Sequence, residues 1–80
     1  DQMQAKAWLD EAIDHLTDRE KLIIRRRKLT DESETLETLG KTLGISKERV
    51  RQLEAAALGK MRKALESHAP ELRQLLMEDA

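Results

Sequence analysis

Eighty residues with no cysteine, one aromatic residue (Trp8) and 39% charged side chains describe one small domain, held together by helix packing rather than by disulfides. The two isolated histidines, His15 and His68, do not make a metal site. No apolar run reaches the roughly 20 residues of a membrane span, and no signal peptide, hydrolytic triad or phosphate loop is visible; the chain therefore reads as neither an enzyme nor a membrane protein, with no cofactor. The net charge of −1 conceals an alternation: residues 19–28 and 41–63 each carry +5, set between acidic stretches of −4 (1–18), −4 (29–40) and −3 (64–80). Phosphate binding depends on local potential, so a near-neutral total does not exclude nucleic acid. A start at Asp1 rather than Met is read as a segment of a longer protein.

Ala5, Trp8, Leu9, Ala12, Ile13 and Leu16 fall at helical spacing and predict a first helix over about 2–16 with one apolar stripe. Within it, Trp8 is expected to fill the core. Thr17-Asp18-Arg19-Glu20 then forms a T-x-x-E capping box, in which hydroxyl and carboxylate each satisfy the other residue's backbone amide. A second helix is expected from 18 to 28. Its terminal Arg25-Arg26-Arg27-Lys28 run suits the negative end of the helix dipole, and residues 30–34, with no apolar side chain, read as a loop.

Thr35 is placed to cap a third helix over 36–43, with Leu36, Leu39 and Leu43 on its inner face. Gly44 supplies the left-handed residue that ends it, and Ser46 caps a fourth helix, 47–67, two residues later. Ile45 and Val50 are spaced as a hydrophobic staple that fixes the angle at which the chain enters that helix. Helix, three-residue turn with glycine, helix is the helix-turn-helix pattern, here spanning 36–60. The fold class expected is thus all-α, four helices with a helix-turn-helix over residues 1–69, followed by a C-terminal tail or short helix at 70–80 after Pro70.

On the fourth helix, Val50, Leu53, Ala57, Met61 and Leu65 repeat at three- and four-residue steps and face inward. At 100° per residue, Glu48, Gln52, Ala55 and Gly59 then point away from the core. Arg49 and Arg51 flank them, and Lys47 sits at the tip. Glutamine pairs with adenine, lysine with guanine and glutamate with the cytosine amino group, while arginines at the edges reach phosphates. This is how a recognition helix lies in the major groove. A solvated face of mixed charges is the plainer alternative for any one of these residues.

The segments "LTDREKLIIRRR" and "ETLETLGKTLGISKERVRQLEAAALGKMR" resemble region 4, the C-terminal domain of bacterial sigma-70 family transcription initiation factors. That architecture is winged-helix-like without a wing. The likeness covers residues 16–63 well and 1–15 loosely. The "LTxRE" opening is shared with response-regulator helix-turn-helix domains, but those lack "ERVRQxE".

The resemblance implies recognition of the −35 promoter element by a sigma factor bound to core RNA polymerase, with docking on the β-subunit flap tip. An anti-sigma factor or an activator is a further partner, and the location is the bacterial cytoplasm, on the nucleoid when in holoenzyme. Carried over by position, Lys47, Glu48 and Gln52 read bases. Arg19, Arg27, Thr35, Leu36, Arg49 and Arg51 contact phosphates, Leu36 through its backbone amide at a helix N-terminus.

This chain departs from the primary factors at Lys47, where many have Arg, and at Ala56 and Gly59, where basic residues that meet activators are common. "KLTDESE" and "ERVRQLE" look more like the heat-shock alternative factors. The competing reading is a protein-interaction module acting through the Trp8/Leu9 stripe and the C-terminal segment.

Overall fold

The computed structural model describes residues 2–68 and 70, and side chains from Lys6 onward. Four helices follow in order: α1 (Gln2–Asp14), α2 (Asp18–Arg27), α3 (Leu36–Leu43) and α4 (Lys47–Glu66), and no strand occurs among the described residues. The 70–80 tail, Pro70 apart, lies outside them.

Each of the last three helices begins at a side-chain cap. Thr17 is extended (φ −69°, ψ 164°) and its hydroxyl accepts from the Glu20 amide at 3.2 Å, while the Thr17 amide donates to Glu20 Oε1 at 2.9 Å. Thr35 Oγ1 accepts from the Thr38 amide at 3.0 Å and Ser46 Oγ from the Arg49 amide at 3.0 Å. α1 stops at Asp14, two residues short of the apolar stripe's last member. The extended backbone that Thr17 needs as a cap forces the chain out of the helix first. His15 and Leu16 close the end with turn bonds to Ala12 O and Ile13 O, and Leu16 stays buried.

Between α3 and α4 the turn is Gly44-Ile45-Ser46. Gly44 has φ 69°, the left-handed conformation that a β-carbon disfavours. Gly40, one turn earlier, is needed for a different reason. The Ile45 amide donates back to Gly40 O at 2.9 Å, and a β-carbon on Gly40 would stand 2.7 Å from the Ile45 carbonyl oxygen. The two helices of the motif can approach this closely only because residue 40 has no side chain.

α1, α2 and α3 each pack mainly on α4, which is the hub of the domain. Two apolar clusters result. Ala12, Ile13, Leu16, Ile24, Ala57 and Met61 form one around the C-terminal half of α4, with Leu9, Ala64 and Leu65 at its edge. Ile23, Leu39 and Val50 form the other beneath the helix-turn-helix, flanked by Leu36, Leu43, Ile45 and Leu53. Neighbouring residues of α2, Ile23 and Ile24, enter different clusters, so α2 is the wedge that joins them. Burial of each Ile, Leu, Val or Met side chain among them stabilises by about 1.5–3 kcal/mol, and of each alanine by less.

Two ion pairs fix α2 antiparallel to α4. At the N-terminal end of α2, Lys60 Nζ donates to Glu20 Oε1 at 2.8 Å. At the C-terminal end, Arg27 Nε donates to Glu54 Oε2. Trp8 is buried at 7% exposure, and its ring stacks on His68 at 4.8 Å between centroids and 14° between planes. His68 Nε2 lies 3.3 Å from Glu11 Oε2, so the end of α4 is held to α1.

Candidate nucleic-acid interface

The local sequence aims the first turns of α4 outward. Ser46 starts the helix, Val50 is fully buried beneath it, and Ile45 packs on the same cluster. Lys47, Glu48, Arg49, Arg51 and Gln52 are consequently all exposed together. Ala55, Ala56 and Gly59 continue that open surface, and their small side chains leave room for an approaching double helix.

Within this group the side chains hold one another. Arg51 grips Glu48 with two parallel bonds, Nε to Oε2 at 2.9 Å and Nη2 to Oε1 at 2.5 Å. Arg49 Nη1 donates to Gln52 Oε1 at 3.3 Å. The Arg51 guanidinium keeps the Glu48 carboxyl below its ordinary range, and Glu48 raises Arg51 in return. Glu48 therefore stays ionised at neutral pH. Each carboxylate oxygen has two lone pairs and the pairing occupies one on each, so acceptor capacity remains for an amino group on a base edge.

The remaining candidates sit on α2 and α3. Thr35 is exposed, with its hydroxyl engaged as the α3 cap and bonded to Thr38 Oγ1 at 2.9 Å. Leu36 is the first residue of α3, where backbone N–H groups have no intrahelical acceptor; its side chain is half-buried against the motif's core.

Arg27 is not the free side chain that a charge run suggests. Besides Glu54, it donates from Nη1 to the Glu34 carbonyl at 2.7 Å, and it is 21% exposed. The 29–34 loop folds back over the end of α2 around it. The Glu34 amide donates to Arg26 O at 3.1 Å and Ser33 Oγ to Arg27 O at 2.6 Å. Arg26 Nη1 stands 3.6 Å from Glu34 Oε1. Arg27 thus links α2, α4 and the residue just before the α3 cap.

Arg19 is exposed but lies elsewhere, next to Glu20 and hence beside Lys60. That is thirteen residues along α4 from Lys47, about 20 Å at the helical rise. So the fold gathers Lys47, Glu48, Arg49, Arg51, Gln52, Arg27, Thr35 and Leu36 around the helix-turn-helix and leaves Arg19 at the opposite end of α2. Sequence reasoning missed Glu54 and Gly40. Glu54 stands in the "ERVRQxE" pattern, but its role could not be read because its partner is 27 residues away; Gly40 had a signal, a glycine four positions before the turn glycine.

The Trp8/Leu9 stripe, one of the two features on which an interaction-module reading rested, packs inward. Trp8 is covered by His68, and Leu9 packs on the α1–α4 cluster. The C-terminal segment, the other feature behind that reading, lies outside the described residues apart from Pro70.

A family model described as sigma-70, region 4 matches residues 12–63, from the end of α1 through the helix-turn-helix and most of α4. The chain belongs to the sigma-70 region 4 family. Relatives from curated proteins agree. The RNA polymerase sigma factor RpoH of Zymomonas mobilis is 51% identical over 57 residues, 71% of this chain and 19% of the relative. RpoH of Caulobacter vibrioides is 46% identical over 61 residues, 76% of this chain and 21% of the relative. RpoD of Helicobacter pylori is 48% identical over 60 residues, 71% of this chain and 9% of the relative. This region 4 chain thus spans about a fifth of the RpoH relatives and about a tenth of RpoD. No described helix of the region 4 chain is long and apolar enough to cross a membrane.

Proposed function

We propose that this chain reads the −35 promoter element in the major groove as part of a sigma factor that directs RNA polymerase to initiate transcription. The observation that supports it best is the outward-aimed first turns of α4, where Lys47, Glu48 and Gln52 project from a helix anchored by Val50. Lys47, Glu48 and Gln52 contact base edges. Arg49, Arg51 and Arg27, the Leu36 amide and the Thr35 hydroxyl, which must turn its one proton away from Thr38 Oγ1 to do so, contact phosphates, and Arg19 meets a more distant stretch of the same backbone. Core RNA polymerase, through the β-subunit flap tip, holds the domain over its site, and an anti-sigma factor or activator is a further partner. Similarity to two factors named RpoH supports the heat-shock subgroup and a stress-response role in the bacterial cytoplasm.

Base reading and phosphate contact are separable by measurement. Full-length factor assembled with core polymerase is titrated on promoter fragments with an intact or a scrambled −35 element. Scrambling is expected to weaken occupancy; unchanged occupancy rejects the proposal. Gln52→Ala is expected to cost about 1–3 kcal/mol on the preferred sequence and to relax the preference at one position. Arg49→Ala should weaken every sequence alike and reduce the salt dependence. The reverse pattern would exchange the two assignments.

A further inference from the structure

Glu54 belongs to the recognition helix yet faces inward, with its side chain 13% exposed, and its carboxylate meets Arg27 from α2. A guanidinium has five N–H groups. One is directed to Glu54 and one to the Glu34 carbonyl, which leaves three. Because Arg27 is gripped from two sides by groups on α4 and on the loop that leads into α3, the direction of those three is set by the fold.

We propose that Glu54 is a positioning residue of the DNA interface: together with the Glu34 carbonyl it orients the Arg27 guanidinium so that its remaining N–H groups meet a backbone phosphate. The inference rests on the phosphate role proposed above for Arg27. Orientation matters here because a guanidinium recognises phosphate by directed, paired hydrogen bonds and not only by charge. Glu54 also offsets part of the Arg27 charge, which weakens long-range attraction. The two effects of Glu54 on binding therefore have opposite signs, and an experiment can tell which prevails. As a second consequence, the helix that reads bases and the residue that grips the backbone become one rigid unit, so that the phosphate contact fixes the register of the base contacts.

The test is equilibrium binding of the full-length factor, assembled with core polymerase, to one promoter fragment over a range of salt concentrations. Arg27→Ala should weaken binding by about tenfold, the scale of one charge-assisted contact, and reduce the log–log salt slope by about 0.9, the value for one phosphate. Glu54→Ala should reproduce both effects, and the double variant should be no worse than either single one. Glu54→Ala that binds as tightly as the parent or more tightly, with an unchanged slope, overturns the role of Glu54 while leaving that of Arg27. An unchanged slope in Arg27→Ala overturns the phosphate role itself. Circular dichroism shows whether each variant is folded. Should Glu54→Ala unfold, Glu54→Met decides: it keeps the bulk of the side chain but offers no carboxylate acceptor to Arg27, and a reduced slope supports the positioning role whereas an unchanged slope rejects it. A tie that serves stability alone would lower the melting temperature of these variants and leave their slopes where they were.

Discussion

Single atoms decide the geometry of the turn. At Gly40 the obstacle to a side chain is the Ile45 carbonyl oxygen at 2.7 Å, a backbone atom that cannot move without opening the turn. At Gly44 nothing stands within 4 Å and only the left-handed φ of 69° is at issue. Gly40→Ala should therefore destabilise by about 1–3 kcal/mol, the range for overpacking. Gly44→Ala should cost about 1 kcal/mol of backbone strain. Thermal unfolding of the two variants checks the order; equal losses would mean that the close approach at Gly40 relaxes freely. Glu48 and Arg51 offer a second comparison at this scale. Their pairing is exposed, so removing either partner should leave stability nearly unchanged while changing DNA binding. A melting temperature that falls by many degrees in Arg51→Ala would show that the pair supports the fold instead.

The helices follow rules written within a few residues. Thr17 with Glu20, Thr35 with Thr38, and Ser46 with Arg49 are each three residues apart, and each pair marks a start that the backbone then adopts. Such signals are readable because both partners lie in one short window. Ser46→Ala should remove about 1 kcal/mol and loosen the turn that carries Lys47 and Glu48, so that promoter affinity falls along with the melting temperature. Gly59 lies in the interior of α4 with open space where its β-carbon would be. Gly59→Ala is expected to raise stability by about 0.5–1 kcal/mol, measured as an increased denaturant midpoint with an unchanged m-value. The ends of α2 and α4 each fall one residue short of the expected limit, at Arg27 and Glu66; the larger departure, the end of α1, has the same local origin: the apolar stripe runs to Leu16, but the Thr17 cap requires extended backbone and takes precedence.

For the molecule as a whole, two small apolar clusters are coupled by α2 and by its ion pairs to α4. Glu20 is 3% exposed. Burial alone would push its carboxyl up, but the Lys60 ammonium, together with the Thr17 amide and hydroxyl, outweighs this and holds it below the ordinary value of 4.5. Since the folded-state value is depressed, its contribution to stability is complete above pH 4.5 and disappears as the pH falls through the folded-state value. Unfolding measured from pH 7 down to pH 3 should show stability falling below about 4.5, with a shallower decline in Glu20→Gln. Identical slopes in parent and variant would assign the acid sensitivity to other carboxylates. Lys60→Ala should destabilise by about 1 kcal/mol, less than for a fully buried pair because Lys60 remains half exposed.

How far the sequence reaches can be read from particular residues. The all-α class, the caps, the Gly44 turn, the inward face of α4 and the exposed Glu48/Gln52 face all depend on neighbours within about one or two helical turns, and so the order of residues determined them. Membership of the sigma-70 region 4 family rests on the same local pattern. Arg27 shows the limit. In sequence it is one of four consecutive cations, set apart from Arg25 and Arg26 only by the resemblance to the family and by nothing in its own neighbourhood. Only the packing of α2 against α4 turned it toward Glu54, 27 residues away, and toward the Glu34 carbonyl. The same packing put Lys60 on Glu20, 40 residues apart, covered Trp8 with His68, and sent Ile23 and Ile24 into separate clusters. Spacing along the chain specifies which face of a helix a residue occupies; which partner meets that face depends on how helices dock, and that is decided by the tertiary structure.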